Sequence, residues 1–229
     1  MGFSAATLMA ILVTLVTTAA TGHTTREPSA PLPGLTTDAA AVQAQLAGIP
    51  QRGLMLGAAT APVTVVVYAD LICQPCATAA ATLLTPLIAD YVKPGFVRVE
   101  LEPIAQSEQS SQFAYGAYSA GMQGKGWDYA LLAYAATTPR SVGPQSSPVA
   151  LARALGLNRR RWRASLFSQR WANLLEQALA VAAVGKFTNF PVLGVHGPSG
   201  ARPSVTVLRP PMTFSELASA ISAADSASN

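Results

Sequence analysis

The chain carries two cysteines and two histidines among 229 residues, and 11% of its residues are charged. A structural zinc site takes about four protein ligands. His23 lies in a Thr- and Pro-rich segment and His196 far along the chain, so the cysteines have no ligand partners close in sequence. No Ser-His-Asp pattern, phosphate-cradling glycine loop or dinucleotide fingerprint is present, which argues against the common hydrolase, nucleotide and nicotinamide chemistries. No segment repeats. The one charge run, Asn158-Arg-Arg-Arg-Trp-Arg163, is short and precedes an amphipathic pattern. It reads as a solvated helix start, with lipid headgroups or an acidic partner as the alternative contact and no nucleic acid expected. Neither a metal nor a bound organic cofactor is expected.

Half of the chain is hydrophobic, enough for a sizeable core and contrary to a disordered composition. Gly2 to Gly22 hold no charged residue, and Leu8 to Val16 form an apolar stretch followed by Thr-Thr-Ala-Ala-Thr-Gly. Residues 1–22 thus read as a signal peptide cut near Ala20 or Gly22, or as an uncleaved membrane anchor, since the run is long enough to cross a bilayer. Both readings put the remainder outside the cytoplasm, where disulfides persist. No cysteine directly follows the run to carry a lipid. Residues 23–48 read as a flexible tether, with a short weak helix from Thr37 to Ala47 capped by Asp38. The folded domain is expected over 49–225.

Pro62 to Tyr68 is a continuous β-branched run, the pattern of a strand covered on both faces. Ala77 to Val92 predicts a helix bent at Pro86, and Phe96 to Glu102 alternates as a second strand, completing a right-handed β-α-β unit. Ser107 to Thr138, Pro148 to Gly156 and Arg159 to Val184 have helical spacing, so a helical insertion at about 107–184 separates two halves of a sheet. Strands return at Val192 to Val195 and Ser204 to Leu208, and a last helix covers Thr213 to Ala224.

Cys73 and Cys76 fall where the first strand meets the first helix. A C-x-x-C there sets the first sulfur over unpaired backbone N–H groups and the positive end of the helix dipole, which favours the thiolate, the species that attacks disulfides. As a staple alone the pair is weak: a loop of about four residues gives roughly 2 kcal/mol. Redox chemistry is the leading reading; an inert disulfide and a zinc site are the alternatives. Asp70, three residues before Cys73, is read as a strand-ending turn cap, or else as a hydrogen-bonding group of the site. Gln74 and Pro75 sit between the sulfurs and tune their environment.

The order strand, C-x-x-C, helix, strand, helical insertion, strand, strand, helix resembles the DsbA-like thioredoxin-fold disulfide oxidoreductases, in their exported single-domain branch. Leu56 to Cys76 is similar to the family's opening, with its Gly-x-x-x-Ala-Pro lead-in, strand, Asp and dithiol. Ser107-Glu108 with Ala114 and Ala117, Gln123 to Trp127, and Ala154 to Leu157 are similar to its helical insertion. The resemblance covers about Ile49 to Ala223. It implies an α/β thioredoxin fold with a helical domain inserted between the two halves of the sheet. It also implies a cis Phe190–Pro191 bond facing the dithiol, with both residues contacting extended substrate and Phe190 on an exposed apolar rim. Cysteine-containing exported clients and a membrane or soluble redox partner follow from it too. Two positions depart from the family: Phe190 stands where a small or β-branched residue is usual, and Val67 where relatives often keep a buried carboxylate. Pro75 resembles the reducing thioredoxin dipeptide while export favours oxidation, so both directions of electron flow stay open. The alternative function is a thioredoxin-fold binding or chaperone-like protein that holds extended polypeptides without turnover.

Overall fold

Five further strands assemble on a single valine-rich one among the described residues. A computed structural model describes residues 33–137, 147–197 and 205–226. The signal or anchor read at 1–22, and the tether up to residue 32, lie outside the described residues. Among the described residues no helix is long and apolar enough to cross a membrane.

Among the described residues the sheet has six strands: β1 (Gln51–Arg52), β2 (Met55–Leu56), β3 (Val63–Ala69), β4 (Val97–Pro103), β5 (Val192–His196) and β6 (Val205–Leu208), in the order β1-β2-β4-β3-β5-β6. β3 lies near the middle and pairs parallel with β4 and antiparallel with β5. Val63, Val65, Val66 and Val67 are all buried, as expected of a strand covered on both faces. β4 alternates, with Val97, Val99 and Leu101 buried and Arg98, Glu100 and Glu102 on the wetter face.

Between the turns that leave β3 and enter β4, the connection is one unbroken run of helical turns from Gln74 to Val92. α2 (Gln74–Ala79) runs into a widened turn at Ala80–Leu84, then α3 (Thr85–Leu87), then a second widened turn at Ile88–Val92. The bend expected at Pro86 takes this form. Proline cannot donate its backbone hydrogen bond, and the ladder shifts by one residue on each side of it: Thr85 N–H bonds the Ala80 carbonyl and Lys93 N–H the Ile88 carbonyl. Such i→i+5 turns take up an extra residue without ending the helix.

Among the described residues five helices make the insertion: α4 (Glu108–Gly121), α5 (Gly126–Thr137), α6 (Pro148–Ala154), α7 (Arg159–Ser165) and α8 (Gln169–Val184). α5 is its centre, buried at every position from Gly126 to Tyr134. Its start holds the β1–β2 hairpin. Trp127 Nε1 donates to the Leu54 carbonyl at 2.8 Å, and Gln51 Nε2 donates to the Asp128 carboxylate at 2.7 Å. A side chain at Gly121 would meet the Gly53 carbonyl oxygen at 2.7 Å, so the hairpin can approach only because that position is glycine. In the arginine run Asn158 caps α7 by accepting the Arg161 N–H, the arginines are exposed, and Trp162 is buried with its Nε1 donating to the Gly116 carbonyl.

The tether reading of 23–48 is corrected by α1 (Pro33–Leu46), which is part of the core. Leu35, Ala39, Val42 and Leu46 recur at helical spacing, are all buried, and face α5 and α6. Burial of that stripe holds a helix whose polar face has little contrast. Asp38 lies inside it rather than at its cap, and the folded domain begins by Pro33 instead of Ile49. α9 (Phe214–Ser226) closes the other side, against β5 and β6.

α8 delivers the chain to β5 through a tight stop. Phe187 N–H returns to the Ala182 carbonyl and Lys186 N–H to Ala183, with Lys186 at φ 54°, the Schellman arrangement with a lysine where glycine is usual. The glycine stands one residue earlier, where a side chain at Gly185 would strike the Phe187 ring.

Glu102 on β4 carries a charge in a poor place: burial raises its carboxyl pKa first, and neighbouring Glu100 raises it further. A carboxyl raised on folding favours the fold below its unfolded pKa, and that contribution is lost as pH rises through the folded value. Glu102→Gln is therefore expected to raise the thermal midpoint at pH 7. The gain should vanish below the ordinary glutamate pKa of about 4.3, as read by melting both proteins at each pH.

Candidate active site

β3 stops at Ala69, and the next residue organises the turn that follows. Asp70 is 3% exposed. One carboxylate oxygen accepts the Ile72 N–H at 3.0 Å, the other accepts the Gln106 N–H at 3.3 Å, and its backbone carbonyl accepts the Cys73 N–H at 3.3 Å. It therefore caps the turn, as read from the sequence, and also ties that turn to the segment leaving β4.

Cys73 follows as the N-cap of α2, in extended conformation, with its Sγ accepting the Cys76 N–H at 3.0 Å and its carbonyl accepting the Ala77 N–H at 3.0 Å. Gln74 and Pro75 form the exposed first turn. Proline fits there because the first helical N–H groups have no partner within the helix. Cys73 and Cys76 are joined as a disulfide with Cα atoms 5.3 Å apart. Their surroundings differ: Cys73 is half-buried at the surface, whereas Cys76 is 2% exposed. The outer sulfur is thus reachable and already faces a backbone donor, and the inner one is enclosed.

The far segment arrives along β5. Tyr68 is paired with Val192, so Pro191 comes in beside the end of β3, where the chain turns toward the dithiol. The Phe190–Pro191 bond is cis. Pro191 and Cys76 line one narrow void together with Val67, Ala69, Leu83 and Tyr134. His196, at the other end of β5, is paired with Thr64 at the start of β3, roughly 17 Å of strand from Ala69 at about 3.4 Å per residue.

Phe190 is half-buried, which corrects its placement on an exposed rim. Like Tyr68 and Phe187, it packs against Ile104, Ala178 and Ala182, and it also touches the main core. The alanines of α8 leave a seat, and removing an aromatic ring from water favours filling it. The openly exposed apolar side chains nearby in sequence are Val181 and Val184 on α8.

A family model described as thioredoxin matches residues 51–204. In shape the chain is similar to alpha-DsbA1 of Wolbachia pipientis, with a TM-score of 0.65 at 12% identity over 76% of this chain and 92% of that one. It is similar to a thioredoxin-like oxidoreductase from Silicibacter pomeroyi, at 0.60 and 21% identity over 80% and 97%. Oxidised BdbD from Bacillus subtilis gives 0.61 and 14% identity over 77% and 97%. A search of curated protein sequences finds no significant match. The chain belongs to the thioredoxin family.

Within that family the arrangement is DsbA-like, with the helical domain set between β4 and β5. The structure brings Cys73, Cys76, Asp70 and Pro191 together, and leaves Gln74 and Pro75 on the outside of the first turn. Sequence reasoning missed two features. Gln106 supplies the second N–H to Asp70 from 36 residues away, with no local signal. Tyr134 reaches the dithiol's inner face from α5, and a tyrosine in an Ala- and Leu-rich helix reads only as core. Burial pushes the Tyr134 hydroxyl far up, and the Asp70 charge pushes it further.

Asp70→Ala leaves two N–H groups of the active-site turn without their acceptor. It is expected to lower unfolding free energy by about 2 kcal/mol or more, the scale of losing hydrogen bonds to a charged group. Asp70→Asn, which keeps one acceptor oxygen, should fall between Asp70→Ala and wild type in the same denaturant titration; equal stability of all three would refute the clamp.

Proposed function

We propose that this protein is an extracytoplasmic thiol-disulfide oxidoreductase that exchanges disulfides with the cysteines of exported proteins through Cys73-Gln-Pro-Cys76. The observation that carries the reading is the asymmetry of the pair: an accessible Cys73 sulfur facing a helix-start N–H, joined to an enclosed Cys76. The family supports disulfide exchange. The uncharged N-terminal run, Gly2 to Gly22, supports export.

In the oxidising direction a client thiolate attacks Cys73 Sγ. The Cys73–Cys76 bond breaks, its electron pair passes to Cys76, and the client is held as a mixed disulfide on Cys73. A second client thiolate attacks the client sulfur and releases the Cys73 thiolate onto the Cys76 N–H and the helix start. Two client thiols become a disulfide, two electrons remain on the protein, and the protons go to the sulfurs and solvent. A membrane or soluble disulfide partner takes the electrons to restore the starting state. Run in reverse, Cys73 attacks a client disulfide and Cys76 resolves it. Pro191, which lies beside the dithiol, and Phe190 before it serve as the docking edge for the client's extended backbone, which must be held for in-line attack.

A reduced, unfolded client with two cysteines tests this. Cys73→Ser is expected to abolish oxidation, by a thousandfold or more within assay limits of about 10³, as for loss of a nucleophile. Cys76→Ser should accumulate a client–Cys73 mixed disulfide, visible as a reducible band shift. Full activity of Cys76→Ser would defeat the resolving role. Retention of client by a double Cys73→Ser/Cys76→Ser protein, without exchange in wild type, would favour a polypeptide-holding function.

A further inference from the structure

The enclosed face of Cys76 raises a chemical difficulty. When the disulfide opens, the bond's electron pair settles on Cys76, and a negative sulfur in an apolar enclosure needs a donor. The void beside it is too narrow to hold a water. Its walls are hydrocarbon, from Val67, Ala69, Leu83 and Leu84 among others, with one exception. Among the described residues that line it, Tyr134 alone has a side chain carrying an oxygen or nitrogen.

The Tyr134 hydroxyl is one of several buried side-chain groups with no hydrogen-bond partner among the described residues, and it is the one that lines the void at Cys76. Buried polar groups are nearly always paired, so an orphan beside a redox centre points to a use. Tyr134 stands on α5, which packs directly against α2. Burial and the nearby Asp70 charge both keep the phenol protonated, so it can act only as a neutral donor to an anion.

We propose that Tyr134 stabilises Cys76 as the leaving group of the exchange reaction, its hydroxyl donating a hydrogen bond to the Cys76 sulfur once the disulfide is broken. This rests on the exchange reading above. The bond that breaks is Cys73 Sγ–Cys76 Sγ, and the bond that forms is client sulfur to Cys73 Sγ. The phenolic proton stays on Tyr134 while it screens the new charge, and Cys76 takes its proton afterwards from those released by the client thiols. Freed from its covalent partner, the Cys76 sulfur must separate from Cys73, and the void on its inner side gives it space toward the hydroxyl. The orphan donor and the new charge satisfy each other as the disulfide opens, and the hydroxyl stays beside the neutral Cys76 thiol once it has taken its proton.

The test is Tyr134→Phe in the full chain, which removes one oxygen and keeps the ring. Oxidised wild type and variant are reduced with dithiothreitol to give the opening rate, and equilibrated against glutathione to give the position of balance. The expected result is opening slowed by about tenfold or more, the weight of a hydrogen bond to a charged group, with the equilibrium moved toward the disulfide by a smaller factor because the reduced Cys76 is a neutral thiol. Equal rates and equal equilibria in a normally folded variant would overturn the proposal while leaving the exchange reading intact. A wild type that never equilibrates with glutathione would instead defeat the exchange reading. If Tyr134→Phe does not fold, wild type labelled with ¹³C at tyrosine Cζ decides. One tyrosine signal should shift between the oxidised and reduced forms as its hydroxyl gains a partner, and unchanged tyrosine signals would overturn the proposal.

Discussion

The Asp70 carboxylate holds the active-site turn in register with the rest of the sheet. It receives one N–H from its own turn and one from the chain leaving β4, while its backbone receives the N–H of Cys73. Buried at 3% exposure, it is costly to leave unpaired and so fixes the groups that pair with it. The end of β3, the start of α2 and the exit of β4 are thereby one unit. The dithiol depends on it for the direction of the helix start and, through that, the aim of the Cys76 N–H at Cys73 Sγ. Its negative charge also acts on Tyr134, connecting the outer turn electrostatically to the inner wall of the site.

The helical domain is more than a decoration on the sheet. α5 is buried along nearly its whole length: it anchors the β1–β2 hairpin at one end, supports α1 along its side, and presents Tyr134 to Cys76 near the other. α8 serves the opposite face, where Ala178 and Ala182 receive Phe190 and the tight stop at Lys186 sends the chain back to the dithiol. The two sulfurs therefore see different solvents. Cys73 meets water and an incoming thiol; Cys76 meets hydrocarbon and one hydroxyl. Differences of this kind separate the reactivities of two chemically identical groups three residues apart.

Much of this was legible in the chain. The β-branched run of β3, the alternation of β4 and the C-x-x-C between them are local patterns with strong contrast, and they locate the dithiol and the β-α-β unit. Other parts have no local signal. β1 and β2 are two residues each, too short to show a period, and exist because Gly53 can nest against Gly121 and Gly126. α1 hides its buried stripe among alanine, threonine and glutamine, so it reads as tether until α5 is set beside it. The hydrogen bond from Gln106 to Asp70 and the approach of Tyr134 to Cys76 are both tertiary, and no spacing rule finds them. The rim placement of Phe190 came from the resemblance, which carries no account of the half-buried seat that Ala178 and Ala182 of α8 provide.

The account stands or falls on the unequal environments of the two sulfurs. The direct measurement is the pH dependence of iodoacetamide alkylation of the fully reduced protein, with each cysteine followed separately by peptide mass. Cys73 should react first, with an apparent pKa below the ordinary thiol value of about 8.5, and Cys76 should remain protected until the protein is unfolded. Two cysteines that alkylate at the same rate, both titrating near about 8.5, would contradict it.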